Sequence, residues 1–282
     1  MISLKLLARI MHDCGEFKGE WRKALDEIAG GQPQEIADKL AEFGNPLKGV
    51  VGQILYDITG SDFGRVEAGI ISAETAKIMM SSDKFVDETD LTVEEKINAV
   101  RVLFETMRTG KLQNLGYDEL TAVSLLCLDL YERISKSPHK ELFVEECRNL
   151  AGAVIEQLEG KASLDISYRI GGGTATVINI IPYCFDDSIP KRFIEASRNM
   201  GAYCQIIDDL RDYRHDLIRG IATIFTKSEN LKETKKEALA AASEYKRRCF
   251  DAVESPEEKR VYETLEFLFN VRNKLHSLTT TG

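Results

Sequence analysis

Apolar residues recur every three to four positions along almost the whole of this sequence, and never in the strict alternation of a half-buried strand. Leu142/Phe143, Cys147, Leu150/Ala151, Val154/Ile155 and Leu158 make one such stripe. Leu120, Val123, Leu126/Cys127, Leu130/Tyr131 and Ile134 make another, and Val261, Leu265, Leu268/Phe269 and Leu275 a third. No Asn-Gly or Asp-Gly hairpin signal interrupts them. Breakers at Gly30-Gly31, Gly44-Asn45-Pro46, Gly60-Ser61, Thr109-Gly110, Ser137-Pro138, residues 186–190 and Ser255-Pro256 cut the pattern into about ten to twelve helices. With no linker or repeat in sight, the 282 residues are expected to form one all-α bundle around a single core. Residues 1–45, richer in glycine and charge, are expected to be a peripheral cap, with Trp21 as a peripheral anchor. Met79 and Met80 read as core.

Charge narrows the function. Lys and Arg number 37 against 46 Asp and Glu, a net of −9, which argues against a nucleic-acid partner. The short basic group Lys246-Arg247-Arg248 reads as a solvated helix face. An acidic protein that takes an anionic substrate needs cations to bridge the two. The six cysteines show no CxxC or Cys/His metal spacing and read as buried free thiols of a reducing cytoplasm. The N-terminus has no long uncharged core with a small-residue cleavage site. No apolar run reaches the ~20 residues of a membrane span; the longest, at 175–185, holds Asn179 and Pro182. A cytoplasmic protein without a transmembrane segment is expected.

Two acidic clusters carry the candidate chemistry. The first, DKFVDETD at 83–90, closes an apolar segment, and Asp83 and Asp87 project from one helix face. The second is QIIDDLRDYRHD at 205–216. There Asp208, Asp212 and Asp216 form one stripe with Asp209 beside it, after the largely apolar or small stretch 193–207. Like charges four apart weaken a helix by a few tenths of a kcal/mol, and near a helix C-terminus the macrodipole adds to the cost. A bound cation would relieve both. Either cluster alone reads as a solvated helix end; two, on separate helices that each follow an apolar segment, suggest facing walls for Mg²⁺. This ion takes one or two carboxylates plus water and phosphate oxygens, and would stabilise pyrophosphate as a leaving group.

The second cluster resembles the second aspartate-rich motif of the class I isoprenoid synthases, G-x-x-x-Q-x-x-D-D-x-x-D, here running from Gly201 through Gln205 to Asp212. Arg219, Gly220 and Thr223 then stand in the segment that follows it in that family. The run 83–90 is similar to the first motif, D-D-x-x-D-E-x-D, about 125 residues upstream. The resemblance implies an all-α fold around a deep apolar cavity, an allylic prenyl diphosphate as substrate, and three Mg²⁺ ions bridged by it. Asp83, Asp87, Asp208, Asp209 and Asp212 would be the metal and catalytic residues, and Asp216 a supporting one. Gln205, Arg211 and Arg219 would serve the substrate, and Met79, below Asp83, would limit cavity depth together with Ile78. A homodimer is also implied by the resemblance.

Several positions depart from the chain-elongating members. Lys84 replaces the second aspartate of the first motif, and Thr92, Val93 and Glu94 stand where two arginines and a glycine occur. The segment around Lys48 has one lysine where an isopentenyl diphosphate site has G-K-x-x-R, and Gly173-Thr174 replaces a Lys-Thr pair. The run YRIGGGTATV at 168–177 resembles a segment of squalene and phytoene synthases. Each glycine costs a helix about 1 kcal/mol relative to alanine, so close approach of substrate or of another helix is expected at Gly172, Gly173 and Thr174. Arg169 is a candidate diphosphate sensor. These departures place ionisation of a single allylic diphosphate first, as in terpene synthases. A prenyltransferase, chain-elongating or head-to-head, is the alternative, and a non-catalytic partner subunit of a prenyl synthase is the third reading.

Overall fold

The computed structural model describes residues 4–44, 65–88, 90–113, 116–180 and 191–256, with 258–259, 262–263 and 266. The segment around Lys48, the breaker at 186–190 and most of the stripe from Val261 to Leu275 lie outside the described residues. Among those described there are nine long helices and no strand. They are α1 (Leu4–Ala29), α2 (Gln34–Glu42), α3 (Arg65–Glu88), α4 (Val93–Thr109), α5 (Asp118–Ile134), α6 (Lys140–Leu158), α7 (Leu164–Asn179), α8 (Arg192–Arg219) and α9 (Leu231–Ala252).

Local chemistry sets several of the helix ends. Thr92 accepts from the Glu95 amide while the Glu95 carboxylate accepts from the Thr92 amide, a full capping box that starts α4. The helix ends at Gly110, whose φ of 65° is left-handed and whose Cα lies against the Tyr131 ring, so a side chain would neither adopt the turn nor fit. Ser163 caps α7 and Asn230 caps α9 in the same way, each accepting an amide three residues on.

The stripe read at Leu120–Ile134 is the hub. Leu120, Val123, Leu126, Cys127 and Leu130 are fully enclosed, and α5 packs against α1, α2, α3 and α4. On the other side α7 lies between α6 and α8, also touches α3, and α8 packs in turn on α9. One buried charge pair crosses the hub: the enclosed Glu74 of α3 lies 3.3 Å from Arg133 of α5, which also holds Asp129.

The N-terminal helices share this core. Phe17, Leu25, Ile36, Leu40 and Phe43 are buried in it. Trp21 is no peripheral anchor: it is wholly enclosed, and its indole Nε1 donates to the Phe43 carbonyl at 3.1 Å. The amphipathic stripe of α1 carries it inward although its neighbours Glu20, Arg22 and Lys23 are charged. Met80 corrects a second expectation. It is half exposed on α3, because the buried stripe there runs through Ile71, Thr75 and Ile78. Of the cysteines, Cys127, Cys147 and Cys249 are buried thiols and Cys204 is half-buried; the side chains of Cys14 and Cys184 lie outside the described residues. Arg247 and Arg248 lie on the surface, paired with Glu244.

Candidate active site

The site is built on the seam between α7 and α8, which run antiparallel at unusually close range. A methyl group placed on Gly171 would overlap the Gly201 carbonyl and the Gln205 Cβ; one on Gly201 would overlap the Gly171 carbonyl and Ala175. Gly172 lies somewhat less tightly on Arg198 of α8, and Gly173 faces Leu150 of α6. The glycine run thus serves helix-to-helix approach, with backbone meeting backbone. Thr174 follows it, half-buried.

That approach brings Ser167, one turn before Gly171, against Asp209, one turn after Gln205. The Ser167 hydroxyl donates to Asp209 Oδ2 at 3.1 Å, and Gln205 Nε2 donates to Oδ1 at 2.7 Å. Asp209 is therefore turned into the seam, 6% exposed, with a hydrogen bond on each oxygen. Burial pushes its carboxyl up to about 6; the two donors oppose the shift, and the charges of Asp208 and Asp212 add to it. Asp216, two turns further, is pushed up to about 7 by burial and then by Asp209, Asp212 and Asp208. Arg219 lies in the exposed last turn and opposes that shift.

Asp208 and Asp212 point the other way, each about a third exposed. Arg211 spans them. Its Nη2 lies 2.6 Å from Asp208 Oδ1 and 2.6 Å from Asp212 Oδ2, and its Nε donates to Asp212 Oδ1 at 2.8 Å. The bond to Asp212, then the two carboxylate charges, hold the guanidinium firmly protonated.

The first motif lies in the last turns of α3, whose closing residues are Asp83 to Glu88. The side chains of Asp83 and Asp87 lie outside the described residues. Lys84 is exposed, and Phe85 is buried edge-on to the Tyr117 ring at 5.6 Å between centroids. One turn before Asp83 in the helix, Ile78 is buried and Met79 half-buried. Because α3 and α8 both pack on α7, the two aspartate helices have that helix as a common neighbour.

Arg169 occupies the opposite face of α7. Its two terminal nitrogens bind Glu156 of α6 at 3.0 and 2.7 Å, and its Nε binds Asp165 at 2.8 Å. Each nitrogen of the guanidinium is thus already engaged by a carboxylate. The turn after α8 is also tied to α6: Gln157 Nε2 donates to the Ala222 carbonyl at 3.0 Å, and Thr223 and Thr226 bond each other.

Asp208 and Asp212 fit the donor set of Mg²⁺: hard oxygens, one turn apart, on side chains about a third exposed. Asp209 is turned into the seam, with one hydrogen bond on each oxygen. Among the described residues no three His, Cys, Asp or Glu side chains form a ready cage. Ser167 and Glu156, which fix Asp209 and Arg169, escape sequence reasoning. The only trace of Ser167 is its place one turn before Gly171 on the same face.

The fold is the isoprenoid synthase fold. No known family model matches the sequence, and no curated protein sequence does. Solved structures match it at low identity. A geranyltranstransferase from Methanosarcina mazei superposes with a TM-score of 0.58 at 14% identity, over 89% of this chain and 96% of that one. A geranylgeranyl pyrophosphate synthetase from the archaeon Geoglobus acetivorans gives 0.59 at 16%, over 94% and 98%. A decaprenyl diphosphate synthase from Rhodobacter capsulatus gives 0.58 at 14%, over 93% and 98%.

Proposed function

We propose that this chain is an Mg²⁺-dependent prenyltransferase of the polyprenyl diphosphate synthase kind, acting on an allylic prenyl diphosphate. The observation that carries the reading is the accessible pair Asp208 and Asp212, placed by α8 on a fold shared with three proteins named for prenyl transfer or prenyl diphosphate synthesis. Those neighbours favour transfer over the terpene synthase chemistry that the sequence put first.

Asp208 and Asp212 would hold Mg²⁺ from α8, and Asp83 and Asp87 from α3. Bound there, Mg²⁺ would supply charge neutralisation of the diphosphate and stabilise pyrophosphate as a leaving group. The chain's own residues orient the rest. Ser167 and Gln205 keep Asp209 turned inward, so the α8 wall presents two carboxylates and not three. The apolar residues of α3 below the first motif, Ile78 and Met79, shelter the prenyl chain. The allylic C–O bond breaks, and the double bond of isopentenyl diphosphate attacks the allylic carbon. The cation so formed gives a proton to the released pyrophosphate, leaving a diphosphate five carbons longer.

One observation favours a second reading. Thr92, Val93 and Glu94, which stand where chain-elongating enzymes carry arginines, here form the N-cap and acidic first turn of α4. A helix N-terminus dressed with Glu94 and Glu95 satisfies itself and offers no cation to a second diphosphate. A non-catalytic partner subunit would have this property.

Pyrophosphate release with Mg²⁺ tests both. Geranyl, farnesyl and geranylgeranyl diphosphates are offered with and without isopentenyl diphosphate, and products are identified by mass spectrometry. Release that requires isopentenyl diphosphate and gives a longer diphosphate is expected. Asp208→Asn should slow it by at least roughly tenfold to a hundredfold. Release from the allylic substrate alone, as hydrocarbon or alcohol, would return the chain to the terpene synthases. A folded protein that releases nothing, yet alters the rate or product length of a catalytic subunit, would establish the partner reading.

A further inference from the structure

The two carboxylates best placed to take a divalent cation already enclose a cation of the protein's own. We infer that Arg211 is a placeholder. Its guanidinium fills the space between Asp208 and Asp212 until a divalent ion enters, and it is then handed to the incoming diphosphate. The inference rests on the metal site proposed above.

Three features carry it. First, the occupancy is geometric: Nη2 bridges the two carboxylates at 2.6 Å to each, and Nε completes a fork on Asp212. A flat guanidinium saturates a carboxylate in this way and a lysine cannot. Second, it answers a local need. Asp208 and Asp212 are like charges one turn apart, with Asp209 and Asp216 close by, and without a cation between them the helix would bear their repulsion. Third, the fork is incompletely used. Arg211 Nη1 is enclosed and makes no hydrogen bond among the described residues, so an anion's oxygens offer the guanidinium partners that it lacks at present.

The arrangement has a thermodynamic consequence. A divalent ion entering alone must break the Arg211 bridge and leave a guanidinium without partners. With a diphosphate present, the displaced guanidinium gains acceptors in the same step. Metal and diphosphate must then strengthen each other's binding, and Arg211 carries part of that coupling.

The test is direct binding, independent of turnover. Mn²⁺ affinity of the full chain is measured by electron paramagnetic resonance, with and without inorganic pyrophosphate, for wild type and Arg211→Gln. Melting curves confirm that the variant is folded. In the absence of pyrophosphate, Arg211→Gln should bind Mn²⁺ about fivefold more tightly, the effect of losing a competing, partly exposed ion pair. Its enhancement by pyrophosphate should shrink by a similar factor. Arg211→Lys, which keeps the charge but not the fork, should fall between the two. Unchanged or weaker Mn²⁺ binding in Arg211→Gln would overturn the placeholder. If Asp208→Asn and Asp212→Asn still abolish binding in that case, the metal site survives and only the role of Arg211 is lost. If those two variants bind Mn²⁺ as wild type does, the metal site falls and the inference with it.

Discussion

Asp208 and Asp209 are adjacent in sequence and opposite in circumstance. A helix turns about 100° per residue, so one carboxylate faces the accessible side and the other the glycine seam. The ionised form of Asp209 burdens the folded state, because its carboxyl is raised to about 6 from the ordinary carboxylate range. The burden is absent below about pH 4, where the group is protonated folded and unfolded alike, and it is complete above about pH 6. Stability without metal should therefore fall as pH rises through that window. Asp209→Asn removes the ionised form but still accepts from Gln205, and its amide can donate to the Ser167 hydroxyl. Its expected effect is a gain of about 2–3 kcal/mol at neutral pH that vanishes near pH 4, read from urea unfolding in chelator. A variant that destabilises equally at both pH values would mean that the hydrogen bonds, and not the charge, dominate at this position.

At the scale of the helices, α7 is a spacer thinned by its glycines. Gly171→Ala would gain about 1 kcal/mol in helix propensity, yet must push α8 away from a carbonyl contact, at a cost of about 1–3 kcal/mol. A net loss of stability is expected by denaturant unfolding; a gain would show that α7 and α8 part without penalty. This seam explains what could and could not be read in advance. The i, i+4 spacing of Asp208 and Asp212 is a property of one helix, and it is legible in the sequence. The partnership of Ser167 with Asp209, 42 residues apart, depends on the register of two helices, and no local pattern records that. The same holds for Arg169: its charge is evident in the sequence, but its capture by Glu156 requires α6 and α7 to be docked.

At the scale of the whole molecule, helical periodicity makes the all-α class legible throughout. The depth at which each helix lies is harder to read, because burial is decided by neighbours. Residues 4–44 look peripheral by composition, and yet Phe17, Trp21, Leu40 and Phe43 belong to the main core. Trp21 is the only tryptophan, so its fluorescence reports this docking without any label. Native emission should be blue-shifted and should move red in the same denaturant transition that melts the helices. A red shift that precedes the loss of helix would mean that α1 and α2 detach as a separate unit. Cutting Trp21 back to alanine should cost about 3–5 kcal/mol, the usual penalty for a large aromatic removed from a core.

The backbone-to-backbone contact of Gly171 with Gly201 also bears on how the molecule can move. Where two helices meet with hydrogens in place of side chains, there is no compliant layer to shear, and sliding one past the other would set carbonyl against carbonyl. The helix that carries Asp208 and Asp212 therefore travels with α7 as one body, and the two can shift only together against the other helices that α7 touches, α3 and α6.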